Sequence, residues 1–208
     1  MDILSDQRKY AKGLAVRERI VSAACRRFAA LGYGGCSVTD LADAAKVSRN
    51  QLFHHFGSKE RILEAAIERA GQAWSNELIV PAEIYPEATN RLVFIFDRLI
   101  ELAEGDWPYD RLLAMLALGR EGLPAGGVAA LDELLGVLQS FLRRLLKDAR
   151  REGGLVATGK ARVMAGHLLA VLLGSPAAAD RLDDGEAAVL RQLRQLYVGE
   201  AAGRLGQT

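Results

Sequence analysis

Three residues, Lys46-Val47-Ser48, separate two windows that each hold little more than two helical turns, and this narrow gap constrains the chain more than any other feature. Upstream, Ser37 and Asp40 stand three apart in a capping-box arrangement ahead of Leu41, so a helix is expected from about Val38 to Ala45. Downstream, Ser48 reads as an N-cap and opens a second helix from Arg49 to about Phe56. Two short helices joined by so tight a turn form a helix-turn-helix, whose second helix sets its N-terminal residues against base edges in the major groove.

The apolar residues Leu41, Ala44, Ala45, Val47, Leu52, Phe53 and Phe56 supply a small core for this unit. A preceding helix completes it. From about Leu14 to Leu31, the residues Val16, Ile20, Ala23, Ala24, Phe28 and Leu31 recur at helical spacing, and Gly32-Tyr33-Gly34-Gly35 stops the run. Arg49, Asn50 and Gln51 then fall on the first turn of the last short helix, where Arg can grip guanine and Asn or Gln adenine bidentately. His54, His55 and Lys59 follow where a phosphate backbone would run. Charge distribution agrees. Residues 1–61 carry eleven Lys and Arg against six Asp and Glu, whereas the whole chain has a net charge of only +1, so a basic head sits on an acidic body.

Residues 17–64, RERIVSAACRRFAALGYGGCSVTDLADAAKVSRNQLFHHFGSKERILE, resemble the DNA-binding domain of the tetracycline-repressor (TetR) family of bacterial regulators. The resemblance is carried by Ile20, Ala23, Ala24 and Phe28, by Gly32-Tyr33, by Val38 to Ala42, by Val47-Ser48, and by Leu52-Phe53, His55-Phe56 and Ser58-Lys59-Glu60. It implies base contacts from Thr39, Arg49, Asn50 and Gln51, and phosphate contacts from Ser37, Ser48, Phe53, His55 and Lys59. Two positions depart from the family pattern. Phe53 stands where a Tyr is usual, losing one hydroxyl for phosphate; Lys46 stands where Gly is usual, so either the turn is strained by about 1–2 kcal/mol or its backbone differs.

The rest of the chain reads as helical, giving an all-α protein of about nine helices: a helix-turn-helix domain with an N-terminal arm over residues 1–57, then a helical effector-binding and dimerisation domain over 58–208. Helix 4 is expected from Ser58 to about Ile79, helix 5 from Glu87 to Ala103, and helix 6 up to about Arg120. GREGLPAGG is expected to be a flexible connection. Helix 7 is expected from Val128 to Arg151 and carries the leucine stripe Leu131, Leu134, Leu135, Leu138, Leu142 and Leu145; the last two occupy Lys160 to Gly174 and Asp184 to Gly203. Trp74, Phe94, Trp107, Met115 and His167 are the candidate lining of an effector pocket, suited to an apolar or aromatic molecule. Each is also an ordinary core residue by spacing. Gly166, Ala170 and Gly174 recur every fourth residue and would let another helix approach closely, with Leu190, Leu193, Leu196 and Tyr197 as the facing stripe. The resemblance implies that these last helices pair two subunits, that an effector alters the spacing of the two reading heads, and that helix 4 transmits the change.

Catalytic readings are weak by comparison. Gly154 to Ala161 approximates a phosphate-binding loop, but Ala161 lacks the Mg²⁺-holding hydroxyl and the preceding segment is helical rather than a strand. Three histidines and two cysteines, Cys25 and Cys36, give no zinc spacing and no disulfide framework, so no cofactor or metal is expected. Val163 to Ala179 is apolar, but His167 and Pro176 interrupt it and it falls short of a membrane span. The sequence therefore predicts a cytoplasmic, homodimeric repressor of a palindromic DNA operator, released by a small-molecule effector. A constitutive DNA binder, or an enzyme with a DNA-binding head using Asp97, Glu101 and His167, are the alternatives.

Overall fold

The computed structural model describes residues 3–178 and 185–199, and among them every regular element is helical. They are α1 (Ile3–Leu31), α2 (Val38–Ala45), α3 (Arg49–Phe56), α4 (Lys59–Trp74), α5 (Ala88–Ala103), α6 (Tyr109–Leu118), α7 (Ala125–Arg151), α8 (Ala161–Ala178) and α9 (Gly185–Val198). A π-helical turn, Ser75–Ile79, and a last short piece, Val80–Ala82, prolong α4 without a break. The expected all-α architecture of about nine helices is what the described residues adopt.

Helix α1 begins eleven residues earlier than periodicity indicates, because its first third is polar and helical without an apolar stripe. Its buried face, Ile20, Ala24, Cys25 and Phe28, packs against α2, α4 and, most extensively, α6. Leu41, Ala42, Ala45, Leu52 and Phe56 close the small core beneath α2 and α3. Ala44, expected inside, is exposed, and Ala42 takes the inward position one residue pair away on the helix. Phe53 is 40% exposed rather than buried.

In the body, α7 packs on α4, α5 and α8, while α9 lies along α5. By length and composition α7 could cross a membrane. Its residues Leu131, Leu138, Leu142, Leu145 and Leu146 are buried against these neighbours. The GREGLPAGG segment is not a loose connection: it forms a 3₁₀ turn, Arg120–Gly122, and then the first residues of α7. Gly127 is buried there for a packing reason, since a Cβ at this position would come 2.5 Å from a methyl carbon of Leu63 on α4. Glycine here brings two helices together. Asp184 and residues 200–203 of the expected final helix lie outside the described residues.

Candidate nucleic-acid interface

Both short helices are held at their N-termini by complete capping boxes. Ser37 Oγ accepts from the Asp40 amide at 3.1 Å while Asp40 Oδ2 accepts from the Ser37 amide at 2.7 Å. Ser48 Oγ accepts from the Gln51 amide at 3.1 Å and Gln51 Oε1 accepts from the Ser48 amide at 3.0 Å. Each box satisfies donors that the first helical turn leaves open, so the start of each helix is fixed locally.

The turn between them is equally defined. Lys46 has φ 53° and ψ 49°, the left-handed region, and is the one non-glycine residue at positive φ among those described. The Val47 amide reaches the Ala42 carbonyl at 3.0 Å and the Lys46 amide the Asp43 carbonyl at 3.1 Å, the two bonds of a Schellman motif. The lysine therefore adopts the backbone that glycine would take without penalty, resolving the turn in favour of strain.

From this frame Thr39, Arg49, Asn50 and Gln51 are all exposed, as are Ser37 and Ser48. Arg49 and Asn50 have the freedom that base recognition needs. Gln51 is partly committed: with its Oε1 in the capping box, it retains Nε2 donors but lacks the free oxygen that a bidentate adenine contact requires. His55 is half-buried and Phe53 is exposed. Lys59 is turned toward Tyr33, where its Nζ donates to the carbonyl oxygen at 2.6 Å and lies 3.9 Å from the ring centroid. Burial holds its ammonium below the usual lysine range.

Sequence reasoning missed the residue that braces α3 from behind. Arg17 on α1 places its guanidinium 4.3 Å over the Phe56 ring, and its Nη1 donates to the His55 carbonyl at 3.2 Å. That contact joins residues 38 positions apart, and no local pattern announces it.

The residues expected to form an effector pocket do not converge. Trp74 and Trp107 rings are 5.5 Å apart, and the buried Trp74 indole N–H has no hydrogen-bond partner. Phe94 packs instead against Tyr85, Met115 faces the backbone at Gly32, and His167 Nδ1 is 2.9 Å from the Tyr197 hydroxyl. A cavity of about 620 Å³ lies elsewhere, between α1, the α5–α6 turn, α6 and the facing ends of α8 and α9. Of the five expected residues, Trp107 lines it.

The expected pairing surface is divided. Leu193 and Tyr197 are buried within the subunit, where Tyr197 meets Phe96 and His167. Gly166, half-buried, and the exposed Ala170 and Gly174 lie along α8 with Val163, which is 62% exposed; Leu196 on α9 is 60% exposed. Among the described residues, no atom outside α8 lies within 4 Å of where a Cβ would stand at Gly166 or Gly174.

Comparison with known proteins agrees with this geometry. Residues 20–66 match the family model described as bacterial regulatory proteins, tetR family. The chain is 30% identical over 131 residues to the HTH-type transcriptional regulator RutR of Escherichia coli O157:H7, covering 62% of this chain and 57% of that protein. The match thus spans about half the length of such curated relatives. Among solved structures, a TetR-family transcriptional regulator from Agrobacterium tumefaciens superposes with a TM-score of 0.79 at 19% identity, covering 89% of this chain and 99% of that one. AibR in complex with isovaleryl coenzyme A and operator DNA superposes with a TM-score of 0.72 at 18% identity, covering 88% and 98%. Residues 20–66 thus match the model of the tetR family of bacterial regulatory proteins, and the described helices follow the fold of solved TetR-family regulators.

Proposed function

We propose that the protein is a homodimeric DNA-binding transcriptional regulator of the cytoplasm, a repressor that occupies a palindromic operator and leaves it when a small molecule binds the body. The observation that carries this reading is the double capping box with a left-handed turn between, which fixes a short helix and leaves Arg49 and Asn50 exposed on its first turn. Thr39, Arg49 and Asn50 are assigned to base edges, and Gln51 to a single donated hydrogen bond. Ser37, Ser48 and His55 are assigned to phosphates, with Phe53 in apolar contact and Lys59 positioning the head. Residues 1–57 form the reading head and 58–208 the body.

Support for a second subunit comes from the apolar strip Val163, Gly166, Ala170 and Gly174 together with Leu196, which the other described residues leave largely exposed. Two reading heads one helical turn apart require such a pair. Effector binding is supported by the cavity between α1 and the body and by AibR, a similar fold seen with isovaleryl coenzyme A and operator DNA. An effector acts by its difference in affinity between the DNA-competent and released states, passed to the head through α4 and α1.

Selecting bound fragments from random duplex DNA tests the reading. An inverted repeat should be recovered, and Arg49→Ala should cost about 1–3 kcal/mol at that site and relax preference at the base it reads. Recovery of no sequence preference would refute it.

A further inference from the structure

The cavity beside α1 combines apolar walls with two carboxyl groups that form no ion pair with a described residue. Ala29 and Ala30 of α1, Leu102, Trp107 and Pro176 provide the walls. Asp110, at the start of α6, is only 8% exposed, and its Oδ1 accepts a 2.5 Å hydrogen bond from the backbone amide of Arg111. Glu186, at the start of α9, accepts from the Ser175 hydroxyl at 3.4 Å. Neither carboxylate lies within ion-pair distance of a Lys or Arg among the described residues.

The positive charges around the cavity are otherwise engaged. Arg26 Nη1 meets Asp106 Oδ2 at 2.5 Å across the rim. Arg111 has a partner of its own, and acts on Asp110 and Glu186 through its field, which favours their ionised forms. Burial wins over that field: it pushes Asp110 up to about 6 and, with the neighbouring Asp110 charge, Glu186 up to about 7. Burial thus favours the protonated forms of both carboxyls in mildly acidic solution, and a positive charge bound beside them would favour the ionised forms.

We propose that this cavity binds an organic cation, an aromatic or aliphatic body carrying one ammonium-type group, with Asp110 and Glu186 on the charge and the Trp107 face and apolar walls on the body. The inference names a ligand class for the effector reading above and rests on it for its regulatory meaning. It also names a route, because Arg26, Ala29 and Ala30 belong to the helix whose Arg17 braces Phe56 and His55 of the reading helix.

The probe is benzyltrimethylammonium, whose charge does not titrate, compared by calorimetry with its uncharged carbon isostere neopentylbenzene, on the full-length protein without DNA. The cation should bind about tenfold or more tightly than the isostere, tighten as pH rises from 6 to 8, and release protons on binding. Asp110→Asn and Glu186→Gln should each abolish most of that preference while leaving isostere binding unchanged, with thermal melts confirming that both variants fold. Equal binding of cation and isostere, or no binding of either, would overturn the proposal. Cation binding that depends on both carboxyl groups but leaves operator affinity unchanged would uphold the site and refute its role in regulation.

Discussion

The Lys59 ammonium lies 3.9 Å from the Tyr33 ring centroid and donates to the carbonyl oxygen of that same residue at 2.6 Å. One side chain from the first turn of α4 thereby pins the loop that ends α1, and Tyr33 in turn packs on Phe28, with ring centroids 5.7 Å apart. A lysine used in this way acts on the fold before it acts on DNA. Lys59→Met should lower the stability of the protein by about 1–2 kcal/mol in urea melts. Its effect on the salt dependence of DNA binding should be well under the unit slope expected for a lysine on a phosphate. A full unit, with stability unchanged, would return Lys59 to the phosphate-contacting set.

The backbone at Lys46 gives a second expectation. Glycine at this left-handed position removes the clash between Cβ and carbonyl, so Lys46→Gly should stabilise the protein by about 1 kcal/mol, read as a raised denaturation midpoint. Weaker DNA binding in the same variant, with a shallower salt slope, would identify the native lysine as a charge retained for phosphate at the expense of the turn.

Asp110 makes stability depend on pH with a definite sign. Its carboxyl goes from an ordinary value of 3.8 when unfolded to about 6 when folded, so between these the native state holds a proton that the unfolded state releases. Stability from this group is full below pH 4, declines as pH rises to about 6, and is flat above. Asp110→Asn should therefore be more stable than the native protein by up to about 3 kcal/mol at pH 8 and nearly equal to it at pH 4. Urea melts of both proteins across that range test it; a difference that grows toward acid would contradict it.

The uncovered strip on α8 predicts an assembly defect without a folding defect. Ala170→Glu adds a charge at an exposed position of α8, so the melting temperature of the isolated chain should hold while sedimentation shows subunits separating. Operator affinity should then drop steeply, because two half-sites no longer act together. An unchanged dimer would place the pairing surface elsewhere.

What the sequence disclosed followed the range of the forces involved. The boundaries of α2 and α3 were legible to the residue because Ser37 with Asp40 and Ser48 with Gln51 fix them through bonds that span three positions. The true start of α1 was not, since residues 3–13 form helix without the apolar spacing on which the reading relied. Gly126 and Gly127 looked like flexibility, yet they serve close contact with Glu60, Glu64 and Leu63, a partnership visible only once α4 and α7 cross. The expected pocket residues were chosen as aromatics on inner faces, and Trp107 alone reaches the cavity; Arg26, Asp110, Pro176 and Glu186 meet there from four helices and share no local signature. Arg17 was hidden for the same reason.

A 29-residue α1 is about 43 Å long and continuous, and it forms part of the DNA-reading head while resting on α6 of the body. Arg17 and Arg26 are nine positions apart on it, roughly 13 Å along one rod, the first gripping the end of α3 and the second tied to the rim at Asp106. Pivoting such a rod where it crosses α6 swings its far end through a wider arc than its near end. Opening or closing the rim by a fraction of an ångström would thus steer α3 sideways in the groove, with no joint in between to absorb the stroke.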